Sequence, residues 1–249
     1  KKKKEKRNNS SNWIAKGPIS TPIILSNGKK RGNGRVNCIA FDPLDTNIIW
    51  IGSPAGGLWK SSDGGNNWTT NTDNLPVMGV SHIAIDPNNT QIMYIVTGDA
   101  MASDTYSIGV LKSTDGGTTW NTTGLSFSVD QQQTVNKIII HPNYSDSLYA
   151  VTNSNIRISA DGGSNWQIVG TIGRWRDIEF KPDNPSVLYA AKQSSGNSQI
   201  FRSTDGGANW ANISSGMLSS RYRPLIAVTP ENPNVIYALF SAADYGYHG

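Results

Sequence analysis

The 249-residue chain is long enough to bury a large core in one domain or in two smaller ones. Its formal net charge of +4 suggests nucleic-acid binding until the charge is located, because residues 1–7 carry +5 and the remainder carries −1. This distribution excludes a basic surface spread over the chain, and no apolar stretch reaches the length of a membrane helix. The single cysteine, Cys38, excludes an intrachain disulfide and a cysteine metal cluster.

After the basic segment, which we expect to be a solvated tail over residues 1–10, the first recurring pattern is an apolar strand that ends in a Pro turn. Its first copy runs from Ile39 to Pro43, and an aromatic residue follows the Pro by seven positions. Each copy predicts a strand, a turn and a second strand. The pattern occurs five times, with its aromatic residue at Trp50, Tyr94, Tyr149, Tyr189 and Tyr237.

A second pattern, Ser-x-Asp-Gly-Gly, lies between copies of the first, and a Trp follows its Asp by five positions. The Asp can accept hydrogen bonds from amides beyond it and the glycines tolerate positive φ, which predicts a tight turn between two further strands. Because the same role recurs in every unit, we expect these carboxylates to be structural rather than catalytic. The four aspartates are Asp63, Asp115, Asp161 and Asp205, and the tryptophans are Trp68, Trp120, Trp166 and Trp210.

Four strands in each repeat predict an all-β fold, a β-propeller of four-stranded antiparallel blades, since successive turn prolines lie 44, 55, 40 and 48 residues apart. We expect one propeller domain over residues 11–249, with about five blades of an incomplete seven- or eight-bladed ring. Trp13 stands in a context similar to that of Trp166 and predicts an N-terminal strand that closes the ring. The last repeat stops after its second strand, at residues 247–249, which indicates truncation in the fifth blade.

The Ser-x-Asp-Gly-Gly turn resembles the Asp-box, or BNR repeat, of sialidases, sortilin-type receptors and xyloglucan-active endoglucanases. The fuller unit, IAFDPLDTNIIWIGSPAGGLWKSSDGGNNW, most resembles repeats of the endoglucanases and of large secreted proteins of Bacteroidota-type bacteria. The resemblance covers about residues 33–240. It implies the fold strongly and the activity weakly.

Loop lengths indicate where a ligand would bind. The distance from the aromatic residue to the Asp varies between 12 and 21 residues, and the connections between blades also vary, whereas both turns are constant. In an up-and-down blade the two variable classes of connection leave from the same face, opposite the Asp turns. Binding sites on a rigid scaffold favour such loops. We therefore expect any site on that face.

Two groups of residues on that face are candidates. The insertion of blade two could contact a sugar or a cation, or be a polar loop with Asp in its turns. Two Arg-aromatic-Arg triplets could form a basic aromatic patch for an acidic glycan or protein, or be blade packing with arginines at its rim. The first group is Asp99, Asp104 and Tyr106, and the second is Arg174, Trp175, Arg176, Arg221, Tyr222 and Arg223.

Two features of the inner strands have structural explanations. Lys137 occupies a register equivalent to those of Asp177 and Glu179 in the next blade, which favours an inter-blade ion pair over an acid/base pair. His141 stands where other repeats have Asp, so we expect a turn residue. The three histidines share no metal spacing, and the sequence indicates no metal and no cofactor.

The residues disfavour an enzyme. The resemblance to the endoglucanases implies an essential Asp two positions before a Gly-Gly pair in the first blade, where this sequence has Pro54, and a partner acid in a second propeller. We therefore expect a secreted or cell-surface module for non-catalytic binding or adhesion, or a cargo of a bacterial outer-membrane secretion pathway. Its expected partner is a glycan or a protein, with no nucleic acid and no membrane span. The alternative is a xyloglucanase-like glycoside hydrolase whose catalytic residues lie outside this chain.

Overall fold

A computed structural model describes residues 34–101, 105–217, 222–241 and 247–248. The chain divides into two compact units, Lys1–Arg35 and Val36–Gly249. The basic tail over 1–10 and the closing strand at Trp13 lie outside the described residues. All strands described below belong to the second unit.

Each repeat folds as one antiparallel sheet, which we call a blade, and its strands lie side by side in chain order. Blade 1 consists of β1 (Cys38–Phe41), β2 (Ile49–Ser53), β3 (Gly57–Ser61) and β4 (Thr69–Thr70). Blade 2 consists of β5 (Val80–Ile85), β6 (Met93–Thr97), β7 (Gly109–Ser113) and β8 (Asn121–Ser126). Blade 3 consists of β9 (Val135–His141), β10 (Tyr144–Thr152), β11 (Ile156–Ser159) and β12 (Gln167–Val169).

The remaining sheets continue the series. Blade 4 consists of β13 (Arg174–Lys181), β14 (Asn184–Gln193), β15 (Gln199–Ser203) and β16 (Ala211–Asn212). Blade 5 consists of β17 (Tyr222–Val228), β18 (Ile236–Ser241) and β19 (Tyr247–His248). The described residues contain no α-helix, only a single 3-10 turn, Val129–Gln131, between blades 2 and 3. The all-β propeller prediction is confirmed.

One prediction about the last repeat is wrong. It was expected to stop after its second strand, but β19 pairs antiparallel with β18, with Ser241 opposite Tyr247. The sequence pattern missed β19 because two residues are too few to show an alternation of apolar and polar side chains.

Among the described residues, the core consists of four apolar layers, each lying between two consecutive blades. Side chains alternate across a strand, so every blade presents one apolar set to the preceding blade and another to the next. Between blades 2 and 3, for example, Tyr94 and Val96 pack against Ile138 and Leu148, and all four are fully buried. The first strands of successive blades adjoin one another and form the inner wall of the structure.

The turn between the first and second strands forms as predicted. Asp42 Oδ1 accepts a hydrogen bond of 2.8 Å from the amide of Leu44. His141 takes the same role in blade 3, where its Nδ1 accepts from the amide of Asn143 at 3.1 Å. The prediction that His141 is a turn residue is therefore confirmed.

Candidate functional site

The strand order gives the blades two faces. When four antiparallel strands follow chain order, the second-to-third connection and the connection to the next blade leave from one end of the sheet. We call this end the loop face. The Pro turn and the Ser-x-Asp-Gly-Gly turn leave from the other end, which we call the turn face. The predicted separation of variable loops from constant turns is confirmed.

On the turn face, the four Ser-x-Asp-Gly-Gly segments repeat one hydrogen-bond pattern. In the first, the Ser61 hydroxyl donates to Asp63 Oδ1 at 2.8 Å and accepts from the Gly65 amide at 2.8 Å. Asp63 Oδ1 also accepts from the Asn67 amide at 2.8 Å. The other three copies make the same bonds within 0.2 Å. Both glycines have positive φ in every copy, which explains why glycine stands there.

These bonds keep the turn carboxylates ionised at neutral pH, so they hold no proton to donate. The backbone and side chain of Asn165 hydrogen-bond Asp161 and lower its pKa to about 2. The equivalent bonds lower the pKa of Asp115 and of Asp205 to about 2. A general acid in glycoside hydrolysis needs the opposite shift. The geometry therefore supports a structural role for these carboxylates.

In blades 1 to 3, the aromatic residue of the Pro pattern attaches its blade to the turn of the next blade. The Tyr94 hydroxyl donates to the Gly162 carbonyl, and the Tyr149 hydroxyl donates to the Gly206 carbonyl, both at 3.1 Å. In blade 1 the indole of Trp50 lies against Gly117 so closely that a Cβ there would come within 2.4 Å of the ring. The constant spacing thus serves contacts between blades.

On the loop face, the blade 2 insertion turns its acid inward. Asp99 is fully buried, and its Oδ1 accepts from the Met101 amide at 3.0 Å and from Asn37 Nδ2 at 3.5 Å. Tyr106 is half-buried on the same loop, while Asp104 lies outside the described residues. Of these candidates, Tyr106 is the described side chain that a ligand could reach.

The arginine triplets divide between core and surface. Trp175 is fully buried and packs edge-on against Phe201, with ring centroids 5.0 Å apart. For this ring the structure favours packing within the core over contact with a ligand. Tyr222 is half-buried, and Arg223 is exposed. The three other arginines differ: Arg174 is half-buried, Arg176 is 8% exposed, and Arg221 lies outside the described residues.

Arg176 makes a contact that sequence reasoning missed. Its Nη1 donates to the Ala100 carbonyl at 2.6 Å, which joins the inner strand of blade 4 to the loop of blade 2, past blade 3. Its Nε donates to Gln193 Oε1 at 2.5 Å. The partners are 76 residues apart along the chain, and no local motif signals such a contact.

Between the inner strands, a buried ion-pair cluster links blades 3 and 4. Lys137 Nζ lies 2.7 Å from Asp177 Oδ1 and 2.6 Å from Glu179 Oε1. Burial alone would lower the pKa of Lys137, but the charges of the two carboxylates outweigh it and raise the pKa. Burial, helped by the charge of Asp177, raises the pKa of Glu179, although Lys137 acts in the opposite direction. The predicted inter-blade ion pair is confirmed.

A cavity of about 570 Å³ opens between the inner strands toward the turn face. Its walls are mainly isoleucines and turn prolines, and its polar members are His82, Lys137, Glu179 and Lys181. Burial, together with the charge of Lys137, lowers the pKa of His82 to about 3, so the imidazole is neutral at neutral pH. Its Nδ1 is buried without a partner among the described residues.

The first-blade loop that corresponds to the endoglucanase Asp position is a tight hairpin. Ser53 pairs with Gly57, and the Gly56 amide donates to Ser53 Oγ at 3.2 Å. Pro54 lies between them, and its carbonyl sits so close to Gly79 that a Cβ there would come within 2.5 Å. The loop is compact and contains no ionisable side chain.

The described residues show neither a membrane-spanning helix nor a metal-binding group. No helix in this part of the chain is long and apolar enough to cross a membrane. Likewise, no group of three or more His, Cys, Asp or Glu side chains in the described ranges is arranged to hold a metal ion. Burial raises the pKa of the Cys38 thiol to about 12, as expected for a packed side chain.

Comparison with known proteins gives no matching family model. Among curated proteins, a xyloglucanase of Paenibacillus sp is 28% identical over 150 residues, covering 55% of this chain and 15% of the relative. A xyloglucanase of Acetivibrio thermocellus is 26% identical over 168 residues, covering 64% of this chain and 19% of the relative. The chain thus spans less than a fifth of the length of these relatives.

Solved structures agree on the fold. An ancestral GH74 enzyme superposes with a TM-score of 0.68 at 21% identity, covering 84% of this chain and 29% of that one. The GH74 xyloglucanase from Xanthomonas campestris gives 0.63 at 16% identity, covering 86% and 37%. At these identities the likeness shows the propeller fold alone.

These relatives correct the preferred function. A non-catalytic binding or adhesion module was the preferred prediction, and it is wrong, because the curated relatives are xyloglucanases. They support the alternative, a glycoside hydrolase. The error arose because Pro54 was taken as evidence against activity of the whole protein. It shows only that the implied catalytic Asp is not at this position of the first blade.

Proposed function

We propose that this chain is part of a glycoside hydrolase that cleaves xyloglucan-type β-glucans, with the catalytic carboxylates outside the chain. The observation that carries the proposal is the match to curated proteins that are all xyloglucanases, over 118–168 residues each. Because the chain covers so little of each relative, we propose the activity for the whole protein and not for this chain alone.

The placement of the carboxylates rests on the chemistry of glycoside hydrolysis. Such enzymes need two carboxyl groups facing each other across the substrate, about 5–9.5 Å apart. On the described loop face, Asp99 is fully buried, and its carboxylate accepts a hydrogen bond from the Met101 amide. Pro54 stands at the position that the resemblance implies for the catalytic base. Asp177 and Glu179 are bound to Lys137 in the inner strands. These environments favour acid and base positions elsewhere in the protein.

The role of this chain is then to hold the polymer on the loop face. Aromatic rings are suited to this, because a sugar ring presents an apolar face that packs flat on them. Tyr106 and Tyr222 are the half-buried aromatic candidates on this face. An enzyme that acts on a polysaccharide must meet it outside the cell, so the proposal includes export, through a bacterial outer-membrane pathway and with display at the surface. It also keeps the Asp-box assignment of the turns.

The test is hydrolysis by the full-length protein. Purified protein is incubated with xyloglucan, an unsubstituted β-glucan and starch, and new reducing ends are counted over time. We expect release from xyloglucan, no release from starch, and loss of activity when one Asp or Glu outside this chain is replaced by its amide. No release from either β-glucan by folded protein would overturn the proposal.

A further inference from the structure

The cavity between the inner strands, which we call the inner-strand cavity, has the size of a small-molecule site. Its volume is about 570 Å³, and sites for small ligands typically measure about 300–1,000 Å³. Its walls come from β5, β9 and β13, the inner strands of blades 2, 3 and 4, together with Pro230 of blade 5. Because it opens toward the turn face, it is separate from the loop face, where we place the polymer.

The apolar part of the lining comes from all three strands. Ala84 on β5, Ile139 on β9 and Phe180 on β13 line the cavity, and all three are half-buried. A ligand that covers these side chains would remove apolar surface from water, which stabilises the complex. The walls therefore favour a ligand with an apolar body.

The charged groups around the cavity do not balance. Lys137 Nζ lies 2.7 Å from Asp177 Oδ1 and 2.6 Å from Glu179 Oε1. Lys181, which also lines the cavity, pairs with Asp183. Two ammonium groups thus face three carboxylates. An excess negative charge in a largely desolvated place is costly, and a cationic ligand would offset it.

The excess charge is accessible at Glu179 and not at Asp177. Asp177 Oδ1 accepts from Lys137 and from the Ile178 amide. Its Oδ2 accepts from the Ile226 amide at 2.8 Å. Glu179, by contrast, uses Oε1 for Lys137, and no described residue donates to its Oε2. Its side chain keeps 27% exposure and lines the cavity, so Oε2 is the acceptor that a ligand can reach.

His82 provides an independent sign of a missing partner. Its imidazole lines the cavity, and its Nδ1 is buried without a partner among the described residues. Buried polar atoms are normally hydrogen-bonded, because leaving one unpaired costs free energy. The ring is neutral at neutral pH, since its pKa is lowered to about 3, so one of its nitrogens can accept a hydrogen bond. His82 on β5 and Glu179 on β13 lie on either side of β9.

We propose that the inner-strand cavity binds a primary ammonium ligand with an apolar body, with Glu179 Oε2 as the anchor and His82 as a second acceptor. An ammonium group supplies the missing positive charge and carries three hydrogen-bond donors. A carboxylate of the same shape would be repelled, and an alcohol would lack the charge. This site goes beyond the proposed hydrolysis, because it uses the opposite face and a different class of ligand.

The test is an NMR titration of the full-length protein at pH 7 and constant ionic strength. The three probes share one apolar body: cyclohexylmethylamine, cyclohexylmethanol and cyclohexanecarboxylate. Glu179→Gln removes the charge and keeps the size of the side chain. Glu231→Gln is the matched control, because it makes the same change at an exposed residue next to Pro230. Ala84→Leu narrows the cavity without altering a charged group, so it decides the question should Glu179→Gln fail to fold.

We expect the amine to bind about 10-fold more tightly than the alcohol, the effect of a charge-assisted hydrogen bond, and the carboxylate not to bind. Glu179→Gln and Ala84→Leu should each weaken amine binding about 10-fold, and His82→Phe about 3-fold. Glu231→Gln should leave it unchanged. No binding of the amine, or equal amine binding by Glu179→Gln and the unaltered protein, would overturn the proposal. Equal binding of all three probes would overturn the choice of an ammonium. Because the ligand is not a saccharide, this titration and the hydrolysis experiment can fail separately.

Discussion

Replacing Lys137 by Met tests whether the inner strands are held together by a buried charge cluster. The substitution keeps an unbranched side chain but removes the ammonium group that lies 2.7 Å from Asp177 and 2.6 Å from Glu179. The two carboxylates would then face each other in a buried site without a cation. Removing one partner of a buried pair costs more than the pair contributes, because the remaining charge stays desolvated.

The size of the effect follows from the exposure of the groups. Breaking a fully buried pair typically costs about 3–5 kcal/mol. The Lys137 side chain retains 16% exposure and that of Glu179 retains 27%, so we expect a loss of roughly 3 kcal/mol, the lower end of this range. Urea unfolding followed by tryptophan fluorescence measures it. Lys60→Met is the control, since Lys60 lies 4.7 Å from the Trp50 ring centroid and should cost under about 1 kcal/mol.

The pH dependence gives the prediction a second readout. Burial already raises the pKa of Glu179, and without Lys137 nothing offsets that burial. A carboxyl group whose folded pKa lies above its unfolded value favours the folded state at low pH, and this advantage disappears as the pH rises through the folded pKa. The deficit of Lys137→Met should therefore be larger at pH 7 than at pH 5. A deficit below about 1 kcal/mol at pH 7, or one that is equal at both pH values, would refute the reasoning.

Three further experiments test the turns and the contacts between blades. Tyr149→Phe removes the bond to the Gly206 carbonyl and should lower the free energy of unfolding by about 0.5–1.5 kcal/mol in a urea titration. Asp161→Ala should lower the thermal midpoint at pH 7, and the deficit should fade between pH 4 and pH 2, because the folded pKa of about 2 lies below the ordinary 3.8. Gly117→Ala and Gly64→Ala impose similar positive-φ strain, at 80° and 70°, but only the first adds a Cβ within 2.4 Å of an indole. Gly117→Ala should therefore cost about 1–3 kcal/mol more in urea unfolding, and equal costs would contradict the blade packing described above.

The repeat made the fold predictable because each blade uses the same local chemistry. A Pro turn, an aromatic residue seven positions later and a Ser-x-Asp-Gly-Gly turn each constrain a short stretch of backbone. Their recurrence determines the number and order of strands without knowledge of distant contacts. Even the pairing of Lys137 with Asp177 could be predicted, because residues at equivalent positions of neighbouring inner strands lie side by side.

The candidate site was predictable only in part. The loop face could be located from the lengths of its connections, but not which of its side chains are buried. Trp175 and Tyr222 occupy equivalent places in the two triplets, yet one is fully buried and the other half-buried. The contact of Arg176 with Ala100 depends on how blades 2 and 4 approach each other, and no spacing along the sequence encodes it.

Retention of the protein in a xyloglucan-containing native gel tests most directly whether the loop face holds the glycan. We expect that the protein is retarded, that Tyr106→Ala and Tyr222→Ala reduce the retardation, and that Tyr144→Ala does not. Tyr144 is the matched control, since it is 66% exposed and lies at the Pro turn of blade 3, on the turn face. If both loop-face variants are fully retarded and Tyr144→Ala is no longer retarded, the glycan is not held on the loop face.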